Sequence, residues 1–130
     1  MKKYIILVVF VLLQIGLYAQ SQDKTYLRQG YSHDGNGYNV CELIIHSDSS
    51  YTFKKYKLEN RKSRTEYRNY EPETAYGIIE KVGDFYEHTK IVNDSIPDKQ
   101  WISQITNKKV ILFTEKANGS LKRLEAYKRI

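Results

Sequence analysis

Over residues 20–130 apolar and polar positions alternate in short runs, broken by turn-forming residues. Thr25–Ser32 reads as a first strand, and His33-Asp34-Gly35-Asn36-Gly37 as a loop in which Gly and Asn supply left-handed backbone. Cys41, Leu43 and Ile45 then alternate with Glu42, Ile44 and His46, the period of two that marks a half-buried strand. Ser47–Ser50 is a turn, after which Tyr51 and Phe53 resume the alternation. Tyr56 and Leu58 carry the opposite parity, so a bulge is expected at Lys54-Lys55. Asn60–Glu73 is polar and charged and reads as a long loop or hairpin tip.

Ala75–Lys81 and Phe85–Val92 are the next strands, joined by a turn at Val82-Gly83-Asp84. Asn93–Asp98 is a loop. Gln100–Thr106 fits either a helical turn, through Trp101, Ile102 and Ile105, or a strand, through Trp101, Ser103 and Ile105. Val110-Ile111-Leu112-Phe113 is continuously apolar, as in a strand covered on both faces. Asn118-Gly119 is a hairpin signal, and Leu121–Ile130 closes the chain with Leu124, Ala126 and Ile130 on one parity. The pattern predicts an all-β fold of about seven or eight short strands in up-and-down order, a sandwich or a barrel. Its expected core holds Leu43, Ile45, Phe53, Ile79, Phe85, Val110, Leu112 and Leu124.

The first residues follow a different pattern. Lys2 and Lys3 precede nine consecutive apolar residues, Ile5–Leu13, and Gln14 interrupts the run before Ile15–Ala19. A membrane span needs about 20 apolar residues, so this segment matches a secretory signal peptide, residues 1–19, with Ala19 before the cleavage point. The expected product is a single domain, residues 20–130, exported to the periplasm or secreted, with no membrane span and as a monomer. A lipid anchor would require a Cys directly after the apolar run, and the only Cys is Cys41. One Cys also excludes an intrachain disulfide framework and a Cys-rich zinc module. In an apolar strand, Cys41 is expected to be buried.

The chain has 130 residues with a net charge of +6 and 12 Tyr. Loss of Lys2 and Lys3 leaves 19 basic against 15 acidic residues. That size supports one hydrophobic core without staples.

The order Leu43–Phe53, Tyr76–Tyr86, Lys108–Phe113 and Tyr127–Ile130 resembles that of small exported bacterial lipocalin-like proteins. Those proteins place an apolar strand, a turn and an aromatic strand before Gly-x-aromatic and Gly-Asp segments and a closing basic strand. Ser49 stands where the family has a turn Gly, and Ile78 where it has Trp. The resemblance implies a small antiparallel meander barrel with an interior cavity for an apolar small molecule.

Reactive constellations are few. His33, His46 and His88 lack the spacing that puts two imidazoles on one metal, so no metal site is expected. Asp34–Gly37 carries some features of a calcium loop but lacks the later acidic ligand, and a turn is the alternative. There is no nucleophile elbow and no phosphate-binding Gly-rich loop. Glu71 and Glu73 flank Pro72 in a polar stretch where nothing desolvates them. Neither an enzyme nor a cofactor is expected. Asn93-Asp94-Ser95 and Asn118-Gly119-Ser120 match the glycosylation tripeptide, the second being also a hairpin turn.

The basic stretch stands apart. Lys54, Lys55, Lys57, Arg61, Lys62, Arg64 and Arg68 face only Glu59 and Glu66, with Tyr51, Phe53, Tyr56, Tyr67 and Tyr70 interleaved. Such a hairpin binds an anionic partner or is a solvated face whose tyrosines cover the core edge. For an exported protein the anion is an envelope polymer rather than nucleic acid. Two function classes follow. The first is a binding module for a small apolar ligand. The second is a surface interaction protein using residues 51–70. Small inward residues and a void mark the first; a filled interior and a positive patch mark the second.

Overall fold

The computed structural model describes residues 22–91 and 98–130, with the backbone alone for 98–100. The signal peptide expected over residues 1–19, and the tripeptide at Asn93, lie outside the described residues. Eight antiparallel strands form a closed barrel in sequence order. They are β1 (Lys24–Tyr31), β2 (Tyr38–Ile45), β3 (Ser50–Leu58), β4 (Glu73–Val82), β5 (Phe85–Lys90), β6 (Asp98–Ile105), β7 (Lys109–Glu115) and β8 (Leu121–Arg129). Closure comes from Tyr26 and Leu27 pairing with Arg129 and Lys128, which leaves no free sheet edge.

Turn chemistry fixes the corners. Gly35, Gly83 and Gly119 take left-handed backbone at φ 75°, 63° and 83°. Ser49 does the same at φ 67°, at the position where the resemblance places Gly. In the β7–β8 turn the Asn118 side chain accepts from Ser120 N at 3.0 Å, so this tripeptide is a hairpin corner. Asp34 Oδ1 accepts from Ser32 Oγ and Asn36 N, which makes the β1–β2 loop a hydrogen-bonded turn.

The main core fills the barrel axis with Tyr26, Cys41, Leu43, Tyr51, Ile79, Val110, Leu112 and Tyr127. A second cluster, Tyr38, Val40, Tyr56 and Leu58, lies on the other parity of β2 and β3, outside the barrel. It is covered by a 3-10 helix, Arg61–Asn69, whose Tyr67 packs against it together with Tyr70. Asn60 caps this helix, accepting from Ser63 N at 3.3 Å.

This second layer corrects two expectations. No bulge interrupts β3: its register with β2 runs unbroken from Tyr38↔Leu58 to Ile45↔Tyr51. The change of parity arises because Tyr51 and Phe53 face the axis while Tyr56 and Leu58 face the helix. The stretch 60–73 is not a plain loop, because it holds that helix. The bulges lie instead at His88/Thr89 and Leu112/Phe113. At the second, Leu124, expected in the core, is the unpaired residue of β8 and is 56% exposed, while Glu125 and Tyr127 point inward opposite Leu112 and Val110. Leu43, Ile79, Val110 and Leu112 are buried as expected, while Ile45, Phe53 and Phe85 are half-buried. Gln100–Thr106 resolves as part of a strand. Cys41 is buried.

Candidate functional site

One end of the barrel carries the β1–β2, β3–β4 and β7–β8 connections, and it opens into a recess of about 450 Å³. Cross-strand register assembles its wall. Arg28 lies opposite Cys41, Cys41 opposite Lys55, and Glu125 opposite Leu112. These inward positions, with Phe53 and Tyr127 and with Tyr31 at the rim, place two cations, one carboxylate, a thiol and three Tyr or Phe rings around one opening.

The charges are unevenly matched. Arg28 Nε lies 3.2 Å from Glu125 Oε2, and Tyr127 donates its hydroxyl to Glu125 Oε1 at 2.8 Å. The one carboxylate is therefore occupied from two sides, and no ion pair among the described residues engages Lys55. The mouth carries an excess positive charge above half-buried apolar surface. Burial pushes the Cys41 thiol above its ordinary range, with Arg28 and Lys55 opposing it, so the thiol is neutral rather than a thiolate nucleophile. Burial and the neighbouring Glu125 raise the Tyr127 phenol as well.

Below the mouth the axis is plugged by rings. Phe53 meets Trp101 edge to face at 5.3 Å, and Tyr51, Trp101 and His88 lie 5.3–5.8 Å from one another. His88 is fully buried, with Nε2 2.6 Å from Ser103 Oγ and its other ring nitrogen unpartnered. At the opposite end Tyr26 donates to the Thr106 carbonyl at 2.8 Å, beside a smaller recess of about 320 Å³ that Ile45, Ile79 and Ile105 help to line. The interior is thus two shallow cups separated by an aromatic plug, and not a through-going cavity.

The seven cations of the basic stretch do not form one patch. Lys54 faces outward opposite Glu42, and Lys55 faces the mouth. Lys57 pairs with Glu73 at 2.8 Å, an exposed contact that holds Glu73 below the usual carboxylate range. Arg61, Lys62, Arg64 and Arg68 lie on the 3-10 helix. Arg68 Nε is 3.1 Å from the buried Glu42 Oε1, and Tyr67 donates its hydroxyl to the same oxygen. Burial, followed by that bond to Glu42, pushes the Tyr67 phenol up to about 12. The interleaved aromatics are consumed in packing: Tyr51 and Phe53 inside, Tyr56, Tyr67 and Tyr70 under the helix. A stacking platform for bases would need those faces free.

Arg28, Glu125 and Tyr127 were not singled out by the sequence pattern. Arg28 shares the parity of Tyr26, and that was the available signal. For Glu125 and Tyr127 the signal was hidden, because Leu124, Ala126 and Ile130 put the apolar parity of β8 on the opposite face. Among the described residues no group of three His, Cys, Asp or Glu side chains is placed to hold a metal ion.

No family model matches the chain, and no curated protein or solved structure matches it either.

Proposed function

We propose that the protein is an exported small-molecule-binding barrel of the bacterial envelope, lipocalin-like in design, and not an enzyme. The ligand is a compact amphiphile whose acidic group meets Arg28 and Lys55 and whose apolar part rests on Phe53 and the ring plug. The observation that carries this reading is that two inward cations line a concave opening whose single carboxylate, Glu125, is already occupied by Arg28 and Tyr127. Binding sites are typically concave, largely apolar and furnished with a few placed polar groups. The plug limits the ligand to the depth of the cup, which excludes a long acyl chain threaded along the axis. The Lys2-Lys3 start and the Ile5–Leu13 run support export.

Native mass spectrometry of protein purified from its own host tests the assignment. A co-purifying acidic small molecule, lost in Arg28→Gln and Lys55→Gln, supports it. Ligand retained in both variants refutes the mouth as its site. N-terminal sequencing of envelope or medium fractions tests export, and an intact Met1 in a membrane-embedded chain would overturn it.

A second reading has its own observation. No ion pair among the described residues holds Arg61, Lys62 or Arg64. Arg61 and Arg64, three apart, share a face of the 3-10 helix. This short basic face suits an anionic envelope polymer. Charge reversal at these three positions then lowers the salt needed for elution from a heparin-type column, whereas equal elution refutes it.

A further inference from the structure

Beside the mouth, on the outer surface, a separate groove of about 440 Å³ runs between the β1–β2 loop and the start of the 3-10 helix. One wall is Tyr31 and Asn36; the other is Glu59, Asn60, Arg61 and Lys62. Tyr31 is 66% exposed, although tyrosine is costly to leave in water, and its ring is held edge to face against the buried Tyr38 at 5.2 Å and 85°. This fixed ring is a flat apolar surface at the rim of a polar groove.

Both walls are held by internal hydrogen bonds. In the loop, Ser32 N donates to the Gly37 carbonyl at 2.9 Å, Gly37 N donates to Ser32 Oγ at 3.0 Å, and Asn36 N donates to Asp34 Oδ1 at 3.0 Å. Gly37 lets the loop lie close to β3, since a Cβ there would be 3.2 Å from the Leu58 carbonyl oxygen. Across the groove, Asn60 Oδ1 accepts from Ser63 N, which leaves the amide nitrogen of Asn60 for a ligand. No ion pair among the described residues uses Glu59, Arg61 or Lys62.

The chemistry of this set is specific. An exposed aromatic face packs on the C–H face of a pyranose. Amides and a carboxylate exchange hydrogen bonds with sugar hydroxyls as donors and acceptors. Arg61 and Lys62 supply cations for a carboxylate. A bare phosphate would not need the ring or Glu59, which would repel it. A neutral sugar would not need two cations. We infer that the groove between Tyr31 and the Asn60–Lys62 corner is a binding site for an acidic saccharide, a pyranose bearing a carboxylate. The groove lies on the outer surface and shares Tyr31 with the rim of the mouth.

Titration of ¹⁵N-labelled protein with trigalacturonate tests the site, with maltotriose and inorganic phosphate as comparison probes. Trigalacturonate is expected to shift the backbone amides of residues 31–37 and 59–62. Tyr31→Ala weakens binding about tenfold or more, the usual cost of truncating an aromatic anchor. Tyr31→Phe stays within about twofold of wild type, since the hydroxyl has no part in stacking. Arg61→Gln with Lys62→Gln weakens trigalacturonate binding to the level of maltotriose. The site is refuted by any of three results: unshifted amides, wild-type affinity in Tyr31→Ala, or phosphate or maltotriose binding as tightly as trigalacturonate.

Discussion

The ring of Tyr51 on β3 occupies the space that a side chain at Gly77 on β4 would need. The two are register partners, and a Cβ at position 77 would lie 2.4 Å from Tyr51 Cε1 and 2.2 Å from the Thr89 carbonyl oxygen. The ring plug of the barrel therefore rests on a strand position that has no side chain. Gly77→Ala must relieve both a clash with a packed ring and one with the backbone of the β4–β5 ladder. The expected loss is roughly 3 kcal/mol, the upper end of overpacking costs. Urea unfolding measures it, and a loss below about 1 kcal/mol would show that the ring has room to move.

The same ring carries an unsatisfied group. The Tyr51 hydroxyl is buried without a partner, and burial pushes its pKa up to about 12. Tyr51→Phe keeps the ring and removes the unpaired donor. Its stability is expected to equal or exceed that of wild type by about 1 kcal/mol, because an unsatisfied buried polar group costs about that much or more. Tyr127→Phe makes the contrast. It deletes a hydroxyl that is bonded to Glu125, and it is expected to be destabilising.

Ser49 bears a backbone conformation that suits glycine. Left-handed geometry costs a residue with a Cβ about 1–2 kcal/mol, part of which the greater freedom of unfolded glycine cancels. The Ser49 side chain is exposed, and its carbonyl accepts from Ile79 N at 2.7 Å, a bond that Gly preserves. Ser49→Gly should stabilise by roughly 0.5–1 kcal/mol, read as a higher thermal midpoint. An unchanged or lower midpoint would contradict the strain assigned to this turn.

Strand order and turns were legible because period-two runs and Gly or Asn corners are local properties. The outer layer was not. In β3, Tyr56 and Leu58 look like a slipped register, and no local rule separates a bulge from a strand whose two faces are both covered. The cover is the 3-10 helix, rich in Arg, Lys, Ser and Asn, and such a composition reads as loop. Its anchor is Glu42, a charged residue in an apolar strand whose partners Tyr67 and Arg68 lie 25 and 26 residues on. The mouth was hidden for a similar reason: pairing with Val110 and Leu112 decides which face of β8 points inward, and the hydrophobic pattern of Leu124, Ala126 and Ile130 favoured the other face.

That anchor is testable by asymmetry. The Glu42 side chain is 5% exposed and that of Arg68 is 65% exposed. Glu42→Ala strands the Tyr67 hydroxyl and Arg68 over an apolar cluster, and a loss of roughly 2–3 kcal/mol is expected. Arg68→Ala leaves Glu42 bonded to Tyr67 and costs about 1 kcal/mol. Trypsin supplies the local readout. In Glu42→Ala, cleavage after Arg61, Lys62 and Arg64 should accelerate well before the barrel unfolds, and equal cleavage rates would show that the helix is held by its tyrosines alone.

The last prediction concerns acid. His88 is enclosed by Tyr51, Trp101 and Ser103, no ion pair among the described residues engages it, and burial lowers its pKa from the ordinary 6.5 to about 4. Above pH 6.5 the imidazole is neutral in both folded and unfolded chains, and the contribution to stability is complete. As the pH falls from 6.5 towards 4 the unfolded chain binds a proton that the folded barrel refuses, so the folded state loses stability across that window. The full loss is about 3 kcal/mol, from 1.36 kcal/mol per unit of difference. Carboxylates held low, such as Glu73 with Lys57 beside it, lose stability in the same direction, but at the acid end of the range. The difference between wild type and His88→Gln isolates the imidazole, since those carboxylates are common to both. Wild-type stability should fall between pH 6.5 and 4.5 while that of the variant stays nearly flat. Parallel curves would mean that His88 takes up its proton inside the barrel, and that the ring plug opens without unfolding.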